Sequence, residues 1–573
     1  VIRNGEPLAW RARGLSDTLD GSTSFNGAMA LLSNLIPDTT TASMWECRPA
    51  AVSKTVFSGV IGGGPQTYVG PISAMKVIGN VAYGLIKASD NNDHPFAYNL
   101  ATNALLPVTN AVGGTYPVSP ATTGPWTPPI MDLIGSKLVV THPGFLTLLP
   151  AAAFGWFDIS VPTAPVWNTG NLSVTTPPTT NFFTAVPPSA VAQFYNRAYY
   201  IYNLPAQPAL VFSDILNPLN MGGSSTQVLT LGDAAPLSAL GQLRFYNQLG
   251  GIIQGLVVFK GAANTYQITG DLGLNNLAIN SMNLATGTLS PLSVVSTPRG
   301  LGFVSPDGFR IIDFQSNISD PIGLDGQGVV APFVFSAQPS RICAACNGNL
   351  VRISTQNPNL TLMTPNSSTG ASPIVEYWYD LGRQIWHGPH TFPANVIQPW
   401  MGTFVLAAAT YGTTTSIALN TTLWQSDPTQ QASGSTFVEN SVQMTYTYQT
   451  VFLPDTDQMS NVSVAQSLLD IQITAGAPPV QVACNDQNNL SIDAVSIQVL
   501  GGSTIWGAFQ WGNAQWGAPS TAFASRILPW HLPLVFARAQ FKATGSSDGG
   551  VRLGAWHLRY KVLRYLTDIV AAA

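Results

Sequence analysis

The chain reads as an all-β protein: a β-propeller of six or seven blades, six favoured, with an additional β-rich, platform-like domain formed by the chain ends. Three observations predict this. Only 9% of its 573 residues are charged, against about a quarter in an ordinary globular protein. Gly, Pro, Ser, Thr and Asn stand where Glu and Lys usually would, and these are poor helix formers. Hairpin signals recur, because Pro306-Asp307-Gly308, Asn347-Gly348 and Leu381-Gly382-Arg383 each separate two apolar segments. Finally, a small turn residue precedes a compact strand at Gly79, Gly135, Asn196, Gly251, Gly308, Gly348 and Gly402, at intervals of 40 to 61 residues. Repeats of about 40–50 residues with several short strands mark propellers, and the longer intervals call for larger loops. The competing arrangement is a sandwich of unrelated hairpins.

Taken in order, residues 1–56 form an N-terminal arm. Phe25, Met29, Leu32 and Ile36 recur every three or four positions, which predicts one short helix over Ser24 to Ile36. Residues 57–435 form the propeller. Within it, Gly255-Leu-Val-Val-Phe259 is apolar on both faces of a strand and belongs deep in one blade. Residues 436–573 lose the blade rhythm and form a C-terminal, ring-building β domain. There Trp506, Trp511 and Trp516, each followed by Gly, recur every five residues. Odd spacing on a strand sends successive indoles to opposite faces, so these three are candidate interface residues.

Charge is divided along the chain. Residues 1–56 are neutral, 57–520 carry −9 and 521–573 carry +5. The net −4 excludes a generally basic nucleic-acid coat. The basic tail holds Arg552, Arg559, Lys561 and Arg564, candidates for a strand edge that docks on an acidic neighbour. The opening Val-Ile-Arg-Asn-Gly-Glu-Pro has no apolar signal-peptide core. No apolar run reaches the roughly 18 residues of a membrane helix. A soluble, unexported chain is expected.

Catalytic constellations are scarce. Cys343-Ala-Ala-Cys346 lies in a strand-like segment with no second ligand pair, so its cysteines read as small strand residues. His387-Gly-Pro-His390 is the closest histidine pair, and a Pro-containing strand is not expected to face both rings as a helical HExxH does. Gly545-Ser-Ser-Asp-Gly549 matches a nucleophile elbow formally, but a strand follows it where a helix is needed, so a hairpin turn is expected. Asp17 and Asp20 lack the rest of a calcium loop and read as turn residues. The sequence therefore predicts no catalytic, cofactor-binding or metal-binding residue.

Several segments, in order, are familiar. They include Gly14-Leu-Ser-Asp-Thr-Leu-Asp-Gly21, Leu32-Ser-Asn-Leu-Ile-Pro-Asp38, Cys47-Arg-Pro49, Val140-Thr-His-Pro-Gly144 and Val211-Phe-Ser-Asp214. Gly300-Leu-Gly-Phe-Val-Ser-Pro-Asp-Gly308, Asp320-Pro-Ile-Gly323, Trp378-Tyr-Asp380 and Trp386-His-Gly-Pro-His390 continue the series. Their order resembles the tail hub, or nozzle, proteins of short-tailed bacteriophages. The resemblance implies a non-enzymatic virion subunit, made in the bacterial cytoplasm and built into the tail as a homo-hexameric ring. It also implies tail adaptor and tail fibre proteins as partners, with genomic DNA passing through the lumen without sequence-specific binding. The alternative is a propeller-type tail protein that binds or degrades host-surface glycan.

Overall fold

The computed structural model describes residues 7–563 outside 17–27, 39–43, 59–65, 112–113, 120–126, 176–179, 206, 223–226, 233, 247–250, 272–275, 284, 325–327, 357–373, 410–419, 427–436, 440–441, 454–460, 475–476, 487–489, 498–520, 537 and 560. Strands dominate. Among the described residues the longest α-helix is the four-residue Ala331–Val334, and none of their helices is long and apolar enough to cross a membrane.

Seven small, mainly antiparallel sheets follow one another along the described chain. Their innermost strands are Tyr68–Ile78, Ile130–Ile134, Ala190–Phe194, Ala239–Tyr246, Val295–Thr297, Cys343–Asn347 and Ala394–Trp400. Each touches the next, and the seventh touches the first, so the sheets close into a ring of seven blades. Seven replaces the favoured count of six. The seven turn residues found in the sequence fall one per blade. Gly79, Gly135, Asn196, Gly348 and Gly402 each have φ between +57° and +79°, the left-handed region that tight hairpins require and that Gly and Asn tolerate.

Seven hydrophobic clusters fill the spaces between blades. Each central strand feeds two of them, because alternate residues point to opposite faces. In Ile252–Lys260, Leu256 and Val258 pack toward blade three, while Val257 and Phe259 pack toward blade five. The both-faces-apolar pattern of Gly255 to Phe259 thus belongs to a blade interior, and Phe259 is fully buried.

The ring closes with a strand from outside the repeat. Val52–Val56 pairs antiparallel with Thr422–Ser426 and forms the outer edge of blade seven. This segment belongs to the propeller, not to an N-terminal arm. A blade completed by strands distant in sequence ties the ring shut without a covalent link.

The remaining strands of both chain ends form a two-sheet sandwich. One sheet orders Gly14–Leu15, Ala28–Ser33, Thr445–Thr450, Ala539–Ser546, Val480–Asp486 and Ser491–Ile497. The other is built around Val551–Arg559 and Asn461–Thr474. Tyr448 donates its hydroxyl to the Gly554 carbonyl at 2.6 Å, and Phe541 packs on Trp556 at 5.5 Å, joining the sheets. The sandwich core continues into the space between blades five and six.

The helix expected over Ser24 to Ile36 is absent where the segment is described: Ala28–Ser33 and Leu35–Pro37 are strands. The ladder to Thr445–Thr450 carries a bulge between Met29 and Leu31. One extra residue shifts the alternation, so Met29 and Leu32 both reach the core. Their i, i+3 spacing imitated a helical face.

Candidate functional site

Chemistry-bearing side chains gather in three places: the axial cavity of the propeller, the joints between blades and the junction between propeller and sandwich.

The axial cavity has a volume of about 730 Å³ and is lined from all seven blades. A polar chain runs along part of its wall. Lys76 of blade one lies 3.5 Å from Asp132 of blade two. The other Asp132 oxygen accepts the Gln193 backbone N–H of blade three at 2.7 Å. Gln242 of blade four donates its side-chain amide to the Gln193 carbonyl. Asp132 is the single carboxylate among the described lining residues, whereas glycoside hydrolysis ordinarily needs two.

The blade joints are buried and polar. Asp93 of blade one accepts Ser73 and Ser119 hydroxyls and contacts His142 Nε2 of blade two at 3.0 Å. The Gly144 N–H donates to His142 Nδ1 at 2.9 Å, so Nε2 carries the proton given to Asp93. Between blades three and four, Arg197 donates to Asp271 at 3.2 Å and to the Ser213 carbonyl at 3.0 Å.

At the domain junction, Arg352 and Glu376 form a two-pronged pair at 2.8 and 2.9 Å, both fully buried. Trp378 donates its indole N–H to Glu376 at 2.7 Å, and Arg352 lies over the Trp378 ring. Arg48 pairs with Glu439 through two contacts of 2.6 and 2.9 Å. Asn34 gathers three segments: it accepts from Arg48 and the Thr391 N–H, and donates to the Thr445 carbonyl.

His387 and His390 stand in this junction with ring nitrogens 3.2 Å apart. The structure therefore brings together two rings that the sequence reading kept apart. A register shift between Glu376 and Trp378 places His390 opposite Glu376 and His387 opposite Trp378, while Gly388 adopts φ +132°. Burial pushes His387 down to about 3. Burial, then the neighbouring His387, Arg48 and Arg352, hold His390 well below its ordinary value. Both rings are neutral at pH 7. Among the described residues no three His, Cys, Asp or Glu side chains form a metal-sized group.

The predicted interface residues separate. Trp506, Trp511 and Trp516 lie outside the described residues, as do Arg564, Asp17 and Asp20. Arg559 ends the strand Val551–Arg559 opposite Pro7, and Lys561 lies opposite Ser463. Arg552 is no free docking cation. Its Nε lies 3.1 Å from Asp38 and 3.5 Å from Glu46. Burial, reinforced by Asp38, raises Glu46 to about 7 despite Arg552.

Cys343 and Cys346 lie in one strand as free thiols, and burial raises both above the ordinary thiol value, Cys346 to about 11. Gly545 and Ser546 end the strand Ala539–Ser546 and a turn follows at Gly549–Gly550; this connection passes between the two sandwich sheets and is not a hairpin, since Ala539–Ser546 and Val551–Arg559 belong to different sheets. The buried ion pairs escaped the sequence reading, although glutamate scarcity was a usable signal. Of only four glutamates, Glu46, Glu376 and Glu439 are each held by an arginine.

No family model matches the chain, and no curated protein matches it. Solved structures overlap it loosely. A puromycin hydrolase mutant complexed with PGG is 12% identical, with a TM-score of 0.36, over 66% of this chain. The chain covers 58% of that hydrolase's length. The SapL1 lectin in complex with alpha methyl fucoside is 15% identical, with a TM-score of 0.27, over 56% of this chain and 95% of its own. A glycoside hydrolase family 43 arabinoxylan arabinofuranohydrolase from Bacillus subtilis is 11% identical, with a TM-score of 0.27, over 88% and 99%.

Proposed function

We propose that this chain is a structural subunit of a short phage tail, a nozzle or hub protein that assembles into a closed hexameric ring around the path of the genome. One observation carries the reading. Several of the segments that resemble this family supply joints. His142 ties blade two to blade one, the hairpin of Gly300–Ser305 and Gly308–Ile312 forms most of blade five, and Trp378, His387 and His390 fill the domain junction. These residues support architecture, not a reaction.

Charge supports the same reading. Lys and Arg contacts to phosphate dominate nucleic-acid affinity, and a body poor in both lets DNA pass without gripping it. A surface rich in amides and hydroxyls can pack against neighbouring copies without desolvating many charges. The ring would sit in the virion tail, with adaptor and fibre proteins as its neighbours.

Native mass measurement with negative-stain imaging of the purified chain tests the proposal. A six-fold ring with an open lumen is expected. A monomer that cleaves a polysaccharide would overturn the proposal in favour of a glycan-degrading propeller.

A further inference from the structure

The axial cavity holds an arginine used differently from others in the chain. Arg48, Arg197, Arg310, Arg352 and Arg552 are each paired with a carboxylate. Arg244 lines the cavity and is exposed. No carboxylate or other hydrogen-bond partner engages its guanidinium among the described residues. It projects from the inner strand of blade four, directly opposite Gln254 on the next strand. Gln254 is exposed on the same wall, and Gln398 of blade seven is half-buried in the cavity.

The other features of the cavity narrow what could occupy it. Asp132, its single described carboxylate, already has both oxygens engaged. Lys76 keeps donors to spare beyond its one long contact to Asp132. Three half-buried apolar side chains, Ile130, Leu240 and Val294, stand among these polar groups on the wall. A volume of about 730 Å³ lies within the roughly 300–1,000 Å³ of small-ligand sites. Seven blades welded by their own cores hold this wall rigid, so little ordering opposes binding.

We infer that the axial cavity binds an acidic sugar, a uronic acid unit of a surface polysaccharide, with Arg244 on its carboxylate. A guanidinium matches a carboxylate through two parallel hydrogen bonds. The amides of Gln254 and Gln398 can both donate to and accept from ring hydroxyls. Ile130, Leu240 and Val294 offer apolar contact to the C–H face of a pyranose. With one occupied carboxylate and no second among the described lining residues, the site is expected to bind without cleaving.

Isothermal titration of the full chain with trigalacturonate tests this, alongside neutral galactotriose and inorganic phosphate. Saturable binding of trigalacturonate is expected, weaker by about tenfold in Arg244→Gln, with neither control competing. Gln254→Ala should weaken it further while circular dichroism stays unchanged. Absence of saturable heat up to about 10 mM, well past the millimolar range of weak ligands, would overturn the inference. Equal binding of the neutral sugar, equal binding of phosphate, or unchanged affinity in Arg244→Gln would each do the same. Ring assembly is read by mass, so this site and the tail reading fail independently.

Discussion

Arg352 and Glu376 meet diagonally across two neighbouring strands of blade six, two residues off register, with no water-exposed atom on the carboxylate side. Glu376 also receives the Trp378 indole, and Arg352 is sandwiched between the Trp378 and Phe404 rings. Each charge depends on the other for its solvation.

Removing one partner should therefore cost more than removing both. Glu376→Ala leaves a buried guanidinium uncompensated, and a loss of about 3–5 kcal/mol is expected. The double variant Arg352→Met, Glu376→Leu should recover most of that loss. Denaturant midpoints of the three proteins measure it, and a double variant no better than the single one would contradict the expectation.

Stability should respond to acid through two opposed groups. His387 and His390 have lowered values in the folded chain, so the unfolded chain takes up their protons first as pH falls below about 6.5. Each then removes about 1.4 kcal/mol per pH unit, roughly 2 kcal/mol by pH 5. Glu46 is raised to about 7, so its folded form gains stability over the interval from about 7 down to 4.5. The net slope in this interval should resemble that of one histidine. Glu46→Gln should roughly double it, and His387→Gln with His390→Gln should reverse it, as urea midpoints at pH 7 and pH 5 would show.

Phe259 joins blades four and five, with its ring 4.8 Å from that of Phe303. Phe259→Ala should cost about 3–5 kcal/mol. A loss below about 1 kcal/mol, the scale of a typical surface change, would mean that the contact between these blades is loose.

Two glycines separate conformational from steric demand. At Gly135, φ is +60° and an added Cβ meets nothing within 4 Å, so Gly135→Ala should cost about 1–2 kcal/mol. At Gly300, φ is +139° and a Cβ would lie 1.9 Å from the Ile312 carbonyl oxygen. Gly300→Ala should part blade five at that hairpin and lower the thermal midpoint by several times as much. Equal shifts would contradict the distinction.

Arg552→Glu would place a third carboxylate beside Asp38 and Glu46. The isolated chain should lose stability before any assembly is tested, by about 3 kcal/mol or more. A variant with an unchanged melting point but defective ring formation would restore Arg552 as a docking residue.

The repeat was legible because tight hairpins leave a mark. Each of the seven turn residues fell in its own blade, although six blades were favoured, since backbone strain at positive φ restricts the choice to Gly and Asn at most of those positions. The closing strand was not legible. Val-Ser-Lys-Thr-Val is apolar only at its ends, as suits an outer edge, and nothing local joins it to a partner far along the chain. The bulge at Met29 hid a strand behind helical spacing. The contact between His387 and His390 depends on a register shift that residue types alone do not announce. Arg244 left no mark in the sequence, because only ring closure brings its strand to the axis.

The pairing of Val56 with Thr422 also sets a clock. The partner emerges from the ribosome 366 residues after Val56, a delay of about 20–70 s at 5–20 residues per second. The sandwich waits longer, since Ala28–Ser33 needs Thr445–Thr450 before its sheet can form. Throughout that interval the nascent chain carries both of its first-made edges unpaired. Blades one to six can stack as they appear, but the propeller cannot lock until Thr422 has emerged, nor the sandwich until Val551–Arg559 has.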